Sequence, residues 1–359
     1  MRDEIVRLRD AGMTYQAIAD AINGQHGTDH TDQSIRGIYR RATADHKPRP
    51  DYNLTEALKK GVTLETIADR VDVSERVAKA MIDDLAEQGL CIDEQDGIYR
   101  VSNIPHAETQ TIERDWNGDK IIRFGVVSDN HFGSHFTQIT LLHEAYRFFK
   151  AEGIADVYNP GDLTEGENMR PGHTYECYIH GADAHTDEVI HNYPRVDGIT
   201  THCILGNHDA SFVKHVGLDI SRTISKERPD MRFLGMDQAY IHLTPNCMLE
   251  LRHPGGGSAY AISYKPQKII ESMSGGEKPN ILLLGHFHKA EYIPYRNVHC
   301  VQAGTTQAQS NFMRNHNLAA YMGYWLVEIH VNDDGQINRF LPELMPCYRA
   351  IKDDWKSYR

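Results

Sequence analysis

Apolar positions recur along the chain with two different periods, and the changes of period divide it into three segments. In the first, residues 1–46, the spacing is helical. Ile5, Val6 and Leu8 predict a short helix, and Thr14 is placed to cap a second one carrying Ala17, Ile18, Ala21 and Ile22 on one side. A polar stretch from Asn23 to Thr31, with Gly24 and Gly27, predicts a break before a third helix over Ser34 to Arg41. That is a helix-turn-helix order with a turn longer than the usual three or four residues. Lys47-Pro48-Arg49-Pro50 then stops any helix.

The second segment, residues 53–102, changes from helical to alternating spacing. Thr63 precedes Leu64, Ile67 and Ala68, and Ser74 is placed to cap a helix that buries Val77, Met81, Ile82 and Leu85 and ends at Gly89. Two short alternating runs follow, Leu90-Cys91-Ile92 and Gly97 to Val101, joined by an acidic turn. Three helices and a hairpin resemble a winged helix.

After a polar linker, 103–118, the third segment (119–359) reads as α/β. Ile121 to Val127 predicts a strand ending at Ser128-Asp129, followed by a helix with Ile139, Leu142, Ala145, Tyr146 and Phe149 on one face. Further strands are predicted over 155–159, 201–205, 248–252 and 281–284. Each runs directly into polar residues: Gly161-Asp162, Gly206-Asn207-His208-Asp209, His253, and Gly285-His286-Phe287-His288.

Composition narrows the class. The chain has 359 residues, enough for two or three domains with cores of their own. No apolar run approaches a membrane span, and the polar start at Met1-Arg2-Asp3-Glu4 does not read as a signal peptide. Six scattered cysteines without a C-x-x-C pair suit reduced thiols, so a cytoplasmic location is expected. A formal charge of −12 argues against a uniformly basic, nucleic-acid-coating surface. The charge is uneven, however. Basic and acidic residues nearly balance in Met1–Pro50, where Arg36, Arg40 and Arg41 share the third predicted helix and are the candidate DNA contacts. In Asp51–Asn103 acidic residues outnumber basic ones two to one, so a protein contact fits that module better than DNA.

The recurring strand-to-polar junctions carry the chemistry. A lone histidine at a strand end is an ordinary surface residue, but Asp129 and His131, Asp162, Asn207, His253, and His286 with His288 form an ordered set. Two divalent cations about 3.5–4 Å apart repel one another, and a shared carboxylate with imidazole and amide donors offsets that. The glycine before three of the ligands lets the backbone turn and approach closely.

The motifs D-N-H, G-D, G-N-H-D, H and G-H-F-H resemble those of the calcineurin-like metallophosphoesterase superfamily. The resemblance implies a two-sheet β sandwich flanked by helices, with one metal held by Asp129, His131 and His288 and another by Asn207, His253 and His286. Asp162 would bridge them, His208 would protonate the leaving oxygen, and Asp209 would orient or tune His208. Two divalent cations are expected, Mn²⁺ first, with Fe or Zn²⁺ also compatible with these ligands. The phosphoprotein phosphatases of the superfamily carry an arginine in G-D-x-V-D-R-G, whereas this chain has Gly161-Asp162-Leu163-Thr164-Glu165-Gly166. The run Ala303 to Phe312 is similar to the small subunit of archaeal replicative polymerase. The expectation is therefore a DNA-directed nuclease with DNA-binding front modules. The alternatives are a phosphodiesterase or phosphatase acting on small molecules or phosphoproteins, and a DNA-binding regulator with a structural phosphoesterase domain. The histidine-rich stretch Glu165 to Asn192 reads equally as a substrate wall or a solvated insertion.

Overall fold

Short amphipathic helices open the chain. Helices α1 (Arg2–Asp10), α2 (Tyr15–His26) and α3 (Asp32–Thr43) bury Ile5, Ile18, Ala19, Ile22 and Ile35 against one another. The computed structural model describes residues 1–43, 53–71, 73–87, 90, 92–95, 97–101, 111–274, 276 and 278–359. The Thr14 hydroxyl accepts from the Ala17 N–H at 3.2 Å, as a cap should. Ala19 occupies the inner face where Ala21 was expected, and Ala21 is exposed. Helix α2 also runs past the predicted break, ending at Gly27 with φ 63°. Asn23 braces the turn beyond it: its side-chain oxygen accepts from the His30 N–H at 2.6 Å, and its amide donates to the His30 carbonyl at 2.8 Å.

The second segment forms α4 (Leu54–Lys60), β1 (Val62–Thr63), α5 (Leu64–Val71), α6 (Glu75–Glu87), β2 (Ile92–Gln95) and β3 (Ile98–Val101). The strands make a small sheet in the order β1-β3-β2. Strand β1 was not foreseen, because two residues are too few to show alternation. Val77, expected in the core, is 45% exposed, while Ala78 and Ile82 line the inner face. Residues 78 and 82 are four apart on one helical face, and Val77 stands beside that stripe. Gly89 and Cys91 lie outside the described residues. By contacts the chain divides into two units, Met1–Asp84 with Ile92–Val101, and Leu85–Cys91 with Ser102–Arg359.

The larger unit is built on two six-stranded mixed sheets. In chain order its elements are β4 (Thr111–Glu113), β5 (Ile121–Val126), α7 (Ile139–Ala151), β6 (Asp156–Asn159), α8 (Ala182–Asn192), β7 (Thr200–Leu205), α9 (Ala210–Val216) and α10 (Ile220–Glu227). There follow β8 (Met231–Met236), β9 (Gln238–Thr244), β10 (Cys247–Arg252), α11 (Tyr264–Ser272), β11 (Ile281–Leu284), β12 (Ala290–Tyr295), β13 (Val298–Ala303), α12 (Asn311–Asn315), β14 (Gly323–Val331) and β15 (Ile337–Pro346). One sheet has the order β15-β14-β5-β6-β7-β8 and the other β12-β13-β11-β10-β9-β4. Thr111–Glu113, read from the sequence as linker, pairs in parallel with β9 at the edge of the second sheet.

Alternation along the strands assigns each face to a layer. Phe124, Val126, Ile204 and Leu234 of one sheet meet Ile241, Leu249, Leu251, Ile281 and Leu283 of the other. The outer face of the first sheet packs Cys203 and Leu205 with Tyr146 and Phe149 of α7 and Ile224 of α10. On the outer face of the second, Leu282 and Leu284 pack with Ile270 of α11. The unbroken apolar run Ile281-Leu282-Leu283-Leu284 follows from that double burial. The result is a two-sheet sandwich flanked by helices, as the sequence led us to expect. Strands β5, β6 and β7 run parallel, as do β10 and β11, so the ligand-bearing loops follow strands that end at common edges.

Leu249 sits fully buried between the sheets. Leu249→Ala should cost about 2–5 kcal/mol, measured as a lower urea midpoint with an unchanged denaturant slope.

Candidate metal centre

The loops that leave the strands are bent in an uncommon way. Asp129, His131, Asp162, His286 and His288 all have left-handed backbones, with φ of 50°, 52°, 53°, 76° and 52°. Non-glycine residues seldom adopt that conformation, and they hold it only where surrounding contacts enforce it. Here the contacts are visible. The Asp129 N–H donates to the Gly161 carbonyl at 3.0 Å, and the His131 N–H donates to the Asp162 carbonyl at 3.1 Å. The Thr305 hydroxyl donates to the Asp129 carbonyl at 2.7 Å, and Asn130 donates to the Thr306 hydroxyl at 2.9 Å. The run after β13 thus braces the first ligand loop. Gly206 is held to glycine by proximity: a Cβ there would lie 2.2 Å from Asp162 Oδ1.

Three groups of donor atoms converge among the described residues; one is His131, Glu165 and His208, and the other two hold expected ligands. Asp129, His131 and His288 converge in one, and Asp162, His253 and His286 in the other. His131 Nε2 lies 3.0 Å from His288 Nε2, and His288 Nε2 lies 3.4 Å from Asp129 Oδ1. In the other group, Asp162 Oδ2 and Asn207 Oδ1 each lie 3.1 Å from His253 Nε2, and Asn207 Oδ1 is 2.9 Å from His286 Nδ1. Asp162 Oδ2 is also 3.9 Å from His131 Nε2, so this carboxylate stands between the groups. The structure therefore brings together all seven residues singled out as ligands.

Tautomers decide whether these atoms suit a metal. His253 Nδ1–H donates to the Pro160 carbonyl at 2.7 Å, and His286 Nε2–H donates to the Gly256 carbonyl at 2.6 Å. A carbonyl only accepts, so when these rings are neutral, as metal ligation requires, each remaining ring nitrogen turns a lone pair inward. His131 Nδ1 lies 3.0 Å from Glu165 Oε2, which likewise favours the proton on the outer nitrogen. Lone pairs converging on carboxylate and amide oxygens need a cation to hold them. The electrostatics agree. Burial works to raise the Asp162 carboxyl, yet His253 and His208 hold it well below the usual carboxylate range. Burial works to lower the pKa of His253, yet Asp162, and with it Asp129, draws it up to about 10. The buried carboxylates favour positive charge at this position, and the donor set offers potential sites for two metal ions.

Two expected roles need separate statement. His208 stands beside the cluster, its ring centroid 4.7 Å from that of His131. Its Nδ1–H donates to the Glu165 carbonyl at 2.5 Å, leaving Nε2 available. Burial opposes a charge on this ring, but Asp162 and Glu165 outweigh it and raise the pKa. Asp209 does something other than orient His208. Its carboxylate accepts from the N–H groups of Gly206, Leu163 and Thr164 at 2.9, 3.1 and 2.8 Å and from the Thr164 hydroxyl at 2.6 Å. It ties the Asp162 loop to the Asn207 loop, and burial together with Asp162 pushes it up to about 6. Sequence reasoning missed Glu165 as a site residue. Buried between His131 and His173 (Nε2 2.9 Å from Oε1), and accepting from Gln307 at 2.7 Å, it orients a ligand by its side chain and His208 by its backbone. Its place three residues after Asp162 was the available signal; His173 and Gln307 gave none. In the smaller unit, Arg36 is exposed on α3, while the side chains of Arg40 and Arg41 lie outside the described residues.

Asp162→Ala should abolish both metal positions together, because its carboxylate stands between the two groups, 3.1 Å from His253 and 3.9 Å from His131. Metal analysis of the purified variant checks this, and two bound cations per chain would contradict a shared role.

No family model matches the chain. The DNA polymerase II small subunit of Methanothermobacter thermautotrophicus is 24% identical over 247 residues, 55% of this chain and 50% of that protein. The chain thus spans about half the length of the curated relative it matches. Among solved structures, an archaeal phosphodiesterase is 11% identical with a TM-score of 0.36, covering 62% of this chain and 100% of its own. Vacuolar protein sorting 29 of Cryptosporidium parvum is 12% identical with a TM-score of 0.33, covering 64% and 100%. By its own sheet order, helical layers and donor set, the chain has a calcineurin-like metallophosphoesterase fold.

Proposed function

We propose that this chain is a metal-dependent phosphodiester hydrolase acting on DNA strands. The observation that carries the proposal is a two-group donor set reached by two separate cavities. One, of about 720 Å³, reaches the cluster past His131, His208 and His288; the other, of about 1050 Å³, reaches it past Asn207 and His253. A phosphomonoester needs room on one side of phosphorus, whereas a diester needs room on two. Bound cations supply Lewis acidity toward the phosphoryl oxygens and make water a better nucleophile. The protein's part is to hold the phosphate in line and to deliver a proton. His208 delivers it from Nε2 to the departing oxygen.

DNA is favoured over phosphoprotein for two reasons. The arginine of the phosphatase motif is absent, and Glu165 in that loop serves His131 and His208 instead. The polymerase small subunit, although only partly covered, offers a nucleic-acid setting. Exposed Arg36 on α3 adds a candidate phosphate contact in a helix-turn-helix arrangement. A small-molecule diester is the second reading, favoured by the formal charge of −12, which repels a polyanion from surfaces away from the metals.

An assay with Mn²⁺ on single- and double-stranded DNA, RNA, cyclic nucleotides and bis-p-nitrophenyl phosphate separates these readings. Cleavage of DNA is expected; turnover of the small diesters with DNA left intact would establish the second reading. His208→Ala should keep both metals and lose about 10²–10⁴-fold in turnover, the usual weight of a general acid. Loss of metal in that variant would reassign His208 as a ligand. Changing Arg36, Arg40 and Arg41 together to Ala should weaken DNA binding and flatten its salt dependence, since fewer counterions are released. Affinities at two salt concentrations check this, and equal slopes would move α3 to another role.

A further inference from the structure

The two cavities differ in chemistry, and His208 lines only the first. That cavity is lined by His131, Asp162 and His208 of the cluster and also by Tyr260, Phe312, Met313, Leu318 and Tyr321. Phe312 is held in place. The Arg170 guanidinium lies 4.2 Å over its ring, and Arg170 pairs with Glu176, whose carboxylate also accepts from the Phe312 N–H at 2.8 Å. Arg170 and Glu176 belong to the histidine-rich stretch between the second and third motifs, and Arg170 lines the cavity. Among the described residues, the second cavity has no Phe, Tyr or Trp in its lining; Lys214, Arg252 and Asp237 are among its charged residues, with Arg252 paired to Glu250 at 2.7 Å.

We infer that the first cavity is the leaving-group subsite and takes a nucleoside, its base against the aromatic side chains that line only that cavity. This rests on the phosphodiesterase reading. A general acid must stand within hydrogen-bond reach of the oxygen it protonates, so the leaving group must lie on the His208 side. As water oxygen bonds to phosphorus, the bond from phosphorus to the leaving oxygen breaks. The proton on His208 Nε2 passes to that oxygen, and a water proton is released to solvent. A simple alkoxide would leave the aromatic and aliphatic wall wet, whereas a planar base covers it. Stacking of this kind tolerates any base, because every base has a π face. The cavity volume of about 720 Å³ is within the range of small-ligand sites.

The test uses the full chain with Mn²⁺ and dinucleoside monophosphates in which one base or the other is removed. The half released without phosphate identifies the leaving group. Removing its base should lower kcat/KM about tenfold or more, and removing the other base should lower it by less than about threefold. An equal or reversed loss would overturn the assignment. Binding of 2-aminopurine riboside, followed by its fluorescence without metal, gives a readout apart from turnover. Tyr260→Ala and Phe312→Ala should each weaken it about fivefold or more. Tyr260 is fully exposed, so its variant keeps the test valid if the loss of Phe312 disturbs the fold. Unchanged riboside binding in both variants would also overturn the assignment. If bis-p-nitrophenyl phosphate is cleaved and no dinucleotide is, the nucleic-acid reading fails, and riboside binding alone then decides the subsite.

Discussion

Two carboxylates, Asp129 and Asp162, are buried side by side with imidazoles as their neighbours. Burying a carboxylate is costly unless it is paired, and two close together repel each other as well. The rest of the larger unit is organised around satisfying that pair. The sandwich places the loops of β5, β6, β7, β10 and β11 around it. Backbone carbonyls at Pro160 and Gly256 fix the His253 and His286 rings with their other nitrogens turned inward. Main-chain N–H groups of His286 and His208 donate to the Asp129 and Asp162 oxygens at 2.9 Å, so the carboxylates cannot swing away from where a cation is required.

Glu165 shows how closely metal holding and proton delivery are connected. One residue fixes the His131 ring through its carboxylate and the His208 ring through its carbonyl. The carboxylate is in turn held by His173 and Gln307, from the stretch before α8 and the run after β13. Parts of the chain 142 residues apart thus converge on one side chain.

The strands and ligands were legible in the sequence because each apolar run stops abruptly at a histidine, aspartate or asparagine, and burial between layers demands such runs. The face of α7 was legible because Ile139, Leu142, Ala145, Tyr146 and Phe149 keep helical spacing, and all are buried. What escaped depends on tertiary neighbours. Val77 and Ala78 differ only by their angle around α6, which the position of the packed partner decides. Strand β4 has three residues and joins a sheet whose next strand, β9, lies more than a hundred residues on. Asp209 follows His208 directly, so adjacency suggested a partnership, yet its side chain turns to the loop of Leu163 and Thr164 instead. The two-part chemistry of the cavities likewise arises only when Phe312 and Arg170 meet.

The left-handed backbone at five positions of the cluster has a consequence for how the site tolerates substitution. Neighbouring loops hold those bends through hydrogen bonds such as Asp129 N–H to the Gly161 carbonyl and His131 N–H to the Asp162 carbonyl. A β-branched replacement there would strain the backbone as well as remove a donor atom. The same few residues therefore carry both the shape of the cradle and its chemistry.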